Sequence, residues 1–188
     1  MSSPLLMTEP SGDVINEETD ALYEVAYGQR IETAPMSTYA SVVAAALFFQ
    51  LQSYLAGQAI GRAVIETLCV LDAHANHRRR PDVAFISADA WPLDRELPEI
   101  GDWEVIPTLA VEIIHPSNFA LDVLNKLHEY FRYGVSAVWH VYPNSREIYC
   151  YSSPVNVIIL DETQMLTCED ILPGFRCDIG FLFRRKAT

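Results

Sequence analysis

The chain has 188 residues, 50% of them hydrophobic, enough to bury one sizeable core and to argue for one compact domain rather than two. Its formal charge of −12, from 13 basic and 25 acidic residues, speaks against a protein that coats nucleic acid through surface charge alone. The apolar runs fall short of the roughly 18 to 20 residues of a membrane span, and "MSSPLLMTEPSGD" lacks the basic and apolar regions of a signal peptide, so a cytoplasmic protein without a membrane anchor is expected.

The acidity is concentrated. Residues 1–20 carry five acids and no Lys or Arg, and residues 88–104 carry six against Arg95 alone, which leaves the remainder close to neutral. Residues 1–19 are polar, acidic and aperiodic, and are expected to form a flexible tail ahead of a single domain over 20–188. "LYEVAYGQRIETAP" predicts two short strands around the Tyr27-Gly28 turn. "STYASVVAAALFFQLQSYLAG" predicts a long helix capped by Ser37 or Thr38 and stopped at Gly57. "GRAVIETLCVLD" and "PDVAFIS" predict strands separated by the polar "AHANHRRR", and the proline-rich stretch 88–106 predicts an irregular excursion. Cys69, Cys150, Cys168 and Cys177 show neither a CxxC pair nor metal-ligand spacing, so reduced thiols are expected.

The stretch "TLAVEIIHPSNFALDVLNKLHEYFRYG", residues 108–134, places Glu112 among Ala110, Val111, Ile113 and Ile114. A strand there is apolar on both faces and buried, so its carboxylate needs a partner. The helix that follows starts near Ser117 or Asn118, sets Ala120, Leu124, Leu127 and Phe131 on one face, and closes at Gly134. Asp122, Lys126 and Tyr130 form an i, i+4, i+8 stripe on its flank; taken alone, an Asp–Lys surface pair contributes about 0.3 to 0.5 kcal/mol. "SAVWHVYP", "REIYCYS" and "VNVIIL" predict three short strands with proline turns between them. The order of strand pair, helix, strands, helix, strands predicts a mixed α/β fold, one central sheet flanked by two helices.

Asp82 follows Pro81 at the start of a strand, and a sheet can bring it to the same end as Glu112. Two acids in a partly desolvated place raise each other's pKa unless a cation neutralises both, and a divalent metal such as Mg²⁺, which favours carboxylates and water, is one candidate. The plainer alternatives are an ion pair for Glu112 with Lys126 or an arginine, and a turn-capping role for Asp82. Arg78, Arg79 and Arg80 fit either a solvated turn or phosphate positioning ahead of Asp82. His74 and His77 have the HxxH spacing of a zinc pair but no further ligand nearby, which favours solvated loop residues, and Glu66 is a second buried acid of low weight. Trp91 and Trp103 fit a lid, an oligomer contact or irregular packing.

Six stretches, "YEVAYGQRIETAP", "RRPDVAFIS", "LAVEIIHPSN", "D…K…Y…GV" at 122–135, "VWHVYP" and "LPGFRCDIGFLF", stand in the order typical of the Uma family of restriction endonucleases, which resembles a branch of the PD-(D/E)XK nuclease superfamily. The resemblance spans roughly residues 20–183. It implies a restriction-endonuclease-like fold, a mixed central β-sheet flanked by helices, and metal-dependent phosphodiester hydrolysis on nucleic acid, DNA foremost. By matching positions it implies that Asp82 and Glu112 are the motif carboxylates. Ile114 stands where the motif lysine is expected, so the resemblance points to Lys126 on the following helix, and Glu24 matches the glutamate near the N-terminus. Departures fall at His115, Tyr142 and Tyr39, and none removes a carboxylate.

The resemblance therefore implies Mg²⁺ or Mn²⁺ held by Asp82, Glu112 and Glu24, with Lys126 orienting water or stabilising charge, its pKa lowered by partial burial. It also suggests a homodimer, with Trp91 and Trp103 as exposed contacts. The alternative is a nuclease-fold binding or assembly module without cleavage.

Overall fold

The computed structural model describes residues 22–99 and 101–184. The acidic tail predicted over 1–19 lies outside the described residues. In chain order the elements are β1 (Tyr23–Ala26), β2 (Gln29–Glu32), α1 (Thr38–Leu55), β3 (Gly61–Ile65), β4 (Cys69–Asp72), β5 (His77–Arg79), β6 (Val83–Ser87) and β7 (Leu109–Ile113), followed by α2 (Ala120–Arg132), β8 (Ala137–Tyr142), β9 (Glu147–Ser153), β10 (Asn156–Asp161), β11 (Met165–Cys168), β12 (Leu172–Asp178) and α3 (Ile179–Leu182).

The central sheet has six strands in the order β10-β9-β8-β7-β6-β3. It is mixed. β7 and β8 run parallel with α2 as their crossover, and the other neighbours are antiparallel. β7 is buried at every position, as its unbroken apolar run demands of a strand covered on both faces.

α1 starts where Ser37 Oγ accepts from Ala40 N–H at 3.3 Å, and Gly57 follows its end at φ +83°. It buries Val43, Leu47 and Leu51 against one face of the sheet, in a core that also takes Trp139, Phe175 and Leu182. The other face packs Ala84, Ala110 and Val138 against Leu127 and Tyr130 of α2 and against Trp91 and Trp103.

The strand and helix order read from the sequence is present, and the central mixed sheet with a helix on each face is observed. Three features differ. "AHANHRRR" contains β5, which joins β4 and the first hairpin in a second sheet of order β2-β1-β5-β4; Val25 pairs with Arg78. The chain after residue 164 forms a two-stranded sheet and a short helix. On α2, Ala120 and Leu124 in the N-terminal half are exposed, and the buried side chains are Leu127 and Tyr130.

Trp91 and Trp103 are buried and meet edge to face with centroids 5.3 Å apart, so they cannot serve as exposed dimer contacts. They pin the 88–106 excursion to the sheet, aided by a bridge between Cys69 and Trp103. All four cysteines are free thiols. No helix among the described residues is long and apolar enough to cross a membrane.

Gly61 begins β3 at φ +154°, and a Cβ there would lie 2.3 Å from the carbonyl oxygen of Ile86 on the paired strand. Backbone cannot step aside as a side chain can. Gly61→Ala is therefore expected to destabilise the protein by about 2 kcal/mol or more, seen as a lower urea midpoint with an unchanged m-value.

Candidate active site

The sheet register assembles the site. β6 and β7 pair Val83 with Val111, and one step outward the same register sets Asp82 beside Glu112. Ile113 N–H donates to Asp82 Oδ2 at 2.6 Å, which holds the carboxylate at the strand end. In the parallel pair, Glu112 stands opposite His140. Alternation puts Glu112 and His140 on the α2 side of the sheet, together with Ala110 and Val138.

α2 then supplies the countercharge. Lys126 Nζ lies 2.8 Å from Glu112 Oε2 and 2.7 Å from Glu24 Oε1, and Tyr130, one turn later, donates its hydroxyl proton to Glu112 Oε1 at 2.6 Å. Glu24 comes from β1 in the second sheet. Its Oε1 also accepts from Arg80 N–H at 2.9 Å, and its Oε2 accepts from Arg79 Nη1 at 2.8 Å.

Arg79 carries the network outward, pairing with Glu129 Oε2 through Nε at 2.8 Å and through Nη2. His77 completes it: Tyr27 N–H donates to Nδ1 at 3.3 Å, so Nε2 carries the proton and donates to Glu129 Oε2 at 3.2 Å.

The site residues named from the sequence distribute as follows. Glu24, Asp82, Glu112 and Lys126 line one cleft of about 720 Å³, with Arg79 and Arg80 also on its wall. The three arginines do not share a face. Arg78 leans away and pairs with Asp102; Arg79 is buried between two carboxylates; Arg80 gives its guanidinium to the carbonyls of Glu66, at 2.6 Å, and Tyr23, at 3.2 Å. His77 is fully buried on β5, which replaces the solvated loop expected for it, and it shares no ligand site with the exposed His74. Glu66 lines the same cleft at positive φ.

Glu129 and His140 escape the sequence reading, and His77 enters it only as half of an HxxH pair. Pairing "VWHVYP" with "LAVEII" as parallel neighbours around the helix would have found His140. Its ring is 2% exposed and lines the cleft, and Nδ1 is buried without a hydrogen-bond partner.

Burial is the largest single influence on each of these groups, and nearby charges decide whether it prevails. It pushes Glu112 up to about 7, against the pull of Lys126 and with the carboxylates of Asp82 and Glu24 adding to the rise. Burial also raises Asp82, although the Ile113 N–H and Lys126 oppose it. For Glu24 the desolvation is overcome by Lys126 and Arg79, and its carboxyl lies below the usual range. Lys126 is the reverse of the sequence expectation. Burial pulls its ammonium down, but Glu112 and Glu24 at contact distance outweigh that, and its pKa is raised. His140 is held down to about 4 by burial and by Lys126, so it is neutral at pH 7.

Among the described residues, no three His, Cys, Asp or Glu side chains are arranged to cage a metal ion. The chemistry of the donor set nevertheless fits a hard dication. Asp82 has no ion-pair partner among the described residues, and Oδ1 is free of the bond that Ile113 makes to Oδ2. Glu112 repels it across the register. Mg²⁺ is commonly bound by one or two carboxylates with water completing the shell, and Asp82 with Glu112 is such a pair. Both oxygens of Glu24 are engaged, and so are both oxygens of Glu112, by Lys126 and Tyr130, so Asp82 offers the free carboxylate oxygen and Glu112 would exchange one of its partners for the ion.

Comparison with known proteins bears on this geometry. The family model described as "Uma2: Putative restriction endonuclease" matches residues 11–180. Among solved structures, "a putative nuclease belonging to DUF820" from Anabaena variabilis is similar at a TM-score of 0.74 and 19% sequence identity, over 88% of this chain and 92% of that one. No curated protein matches the chain.

The raised Glu112 carboxyl gives stability a pH signature. Its folded pKa exceeds the unfolded value of 4.5, so the fold binds the proton more tightly, and stability falls as pH rises from about 4.5 through about 7. Glu112→Gln keeps the neutral shape. In EDTA it is expected to match the parent near pH 4.5 and to exceed it at pH 8 by on the order of 3 kcal/mol. His77 and His140, both depressed, titrate in the opposite sense and cancel in the comparison. Chemical denaturation at both pH values checks this; a less stable variant at pH 8 would mean that Glu112 serves as a structural ion pair.

Proposed function

The chain belongs to the Uma2 family, and from that premise we propose that it is a divalent-metal-dependent nuclease hydrolysing phosphodiester bonds of nucleic acid, DNA foremost. The observation that carries the reading is a single ammonium, Lys126, held by Glu24 and Glu112 in an open cleft beside the unpaired carboxylate of Asp82. A purely structural ion pair would need neither the cleft nor the second repelling acid.

Asp82 and Glu112 would hold Mg²⁺ or Mn²⁺. The chemistry such an ion supplies is polarisation of a phosphoryl oxygen and acidification of water. Lys126 is the catalytic residue of this chain that remains a cation throughout. Its raised pKa rules it out as a general base at neutral pH and suits it to stabilise negative charge as it grows on the phosphoryl oxygens. Tyr130 fixes the Glu112 carboxylate from the other side. Glu24 acts through Lys126, which makes it a positioning residue, and Arg79 holds Glu24 in turn.

Nucleic-acid contact falls to Arg80. Its guanidinium is held by two carbonyls and has no carboxylate partner among the described residues, so it lines the cleft as an uncompensated positive charge. Arg78 and Arg79 are neutralised by Asp102, Glu24 and Glu129 and have little left for phosphate.

Two measurements test the reading. Calorimetric titration with Mg²⁺ or Mn²⁺ should show binding that Asp82→Ala and Glu112→Ala abolish. Lys126→Met should keep that binding and lose cleavage of a duplex substrate by about 10²- to 10³-fold. An ion that binds the parent without any cleavage would favour the binding or assembly module instead. Separately, Arg80→Gln should weaken binding of all duplex sequences alike and lower the slope of log K against log salt by about 1. An unchanged slope would remove Arg80 from the interface.

A further inference from the structure

The wall of the cleft carries a phenylalanine that the fold does not use. Phe119 is 76% exposed and belongs to neither apolar core. It is the N-cap of α2 and makes no capping bond, where Ser, Thr, Asp or Asn would satisfy one of the free N–H groups of the helix. Local structure gives no reason for an aromatic there. Its mount is nevertheless well fixed. The loop from β7 is tied by Asn118 Oδ1, which accepts from His115 N–H at 2.7 Å, and by Asn118 N–H, which donates to the His115 carbonyl at 2.9 Å. The Phe119 carbonyl then accepts from Asp122 and Val123 at 3.0 and 3.1 Å, which starts the helix. The ring thus follows directly on the strand whose Ile113 N–H holds Asp82.

The charge of the cleft says what kind of ligand such a ring would serve. Seven carboxylates line the cleft against three cations, Arg79, Arg80 and Lys126, and of these Arg79 and Lys126 are already paired. A bound dication would still leave the excess negative. Paired duplex is held chiefly through its phosphates, by several lysines and arginines acting together, and this cleft has Arg80 alone for that work. Single strands are held differently. Their unstacked bases lie on aromatic side chains, an attraction that needs no positive charge on the protein and accepts any base. Phe119 is the one Phe, Tyr or Trp among the described residues that line the cleft. Ile31, 44% exposed on β2, and Val123 on α2 are apolar and line the same space.

We propose that Phe119 is a stacking platform for an unpaired nucleobase, so that the strand presented to Asp82, Glu112 and Lys126 has at least one base outside a double helix. The proposal rests on the nuclease reading and narrows its substrate. An internal base of a fully paired duplex has both faces covered by its neighbours and offers the ring nothing. A single strand, or a duplex with one unpaired nucleotide, offers a free face. In either case the ring would anchor the base while Arg80 meets phosphate, and the two contacts together would set the strand across the carboxylates.

Binding is measured on the full chain with Ca²⁺, an oxygen-seeking ion like Mg²⁺, using three fluorescent DNA probes: a single strand, a fully paired duplex, and that duplex with one unpaired nucleotide. The parent should hold the two unpaired probes more tightly than the paired one. Phe119→Ala should raise Kd for the unpaired probes about 5- to 150-fold and leave the paired duplex unchanged. Phe119→Trp should restore tight binding. The ratio between the single strand and the interrupted duplex tells which source of an unpaired base the cleft prefers. A second measurement needs no variant: 5-iodouracil in the single strand, irradiated in the complex, should cross-link to Phe119, as located by mass spectrometry. Equal losses on paired and unpaired probes, no loss in Phe119→Ala, or a cross-link that maps elsewhere overturns the platform. Cleavage with Mg²⁺ or Mn²⁺ is read apart on a gel. Base stacking on Phe119 without any cleavage would count against the nuclease reading and leave the platform standing, whereas cleavage and binding indifferent to Phe119→Ala would do the reverse.

Discussion

Lys126 is bonded to two carboxylates from two different sheets, and the arrangement of the whole cleft depends on that contact. Glu112 belongs to the central sheet, Glu24 to the smaller one, and the lysine to the crossover helix between β7 and β8. α2 buries only Leu127 and Tyr130, so hydrophobic packing alone gives it a weak grip on the sheet. The helix is located by charge as much as by apolar contact. Buried ion pairs add little net stability, since desolvation consumes most of the Coulombic gain. Such contacts suit a role in fixing where elements sit.

The same contact explains why the carboxylates differ in protonation although they share a cation. Glu24 is flanked by Lys126, Arg79 and a backbone N–H, and these overcome its burial. Glu112 has the lysine and a tyrosine hydroxyl, with Asp82 repelling it across the register, and burial prevails. Asp82 has only the Ile113 N–H and a more distant lysine. The negative charge left uncompensated is thus greatest on the Asp82 and Glu112 side of the cleft, and that is the side on which a dication would be best accommodated.

The chain of contacts beyond Glu24 gives the second sheet its purpose. Arg79 bridges Glu24 and Glu129, and His77 reaches Glu129 from between Tyr27 and Tyr133. Because Lys126 and Glu129 lie three residues apart on α2, side chains of the paired strands β1 and β5 clasp one flank of the helix at two points. A rotation of α2 that kept its apolar contacts but moved Lys126 would break both.

Much of the fold was legible in the residues themselves, because strands and helices announce themselves through local periodicity. The long helix from Thr38, the continuous apolar β7, the crossover helix and the three closing strands all follow from patterns within a few residues of each position. Asp82, Glu112, Lys126 and Glu24 were legible as candidates too: Glu112 as an acid in a buried run, the others through motif order. What only the tertiary structure decided is which charges meet. Arg79 and Arg80 are adjacent in sequence, but Arg79, the last residue of β5, is held between two buried carboxylates, whereas Arg80, just past the strand end, gives its guanidinium to two carbonyls. His77 reads as a loop residue until β5 pairs with β4 and β1. Trp91 and Trp103 read as surface until the excursion folds back on the sheet. The pKa of Lys126 is governed by carboxylates 14 and 102 residues away in the chain, and so it could not be inferred from the burial of its own helix. Secondary structure is a local property of the chain, whereas electrostatic partnership is set by distance in space, and register and packing alone determine that distance.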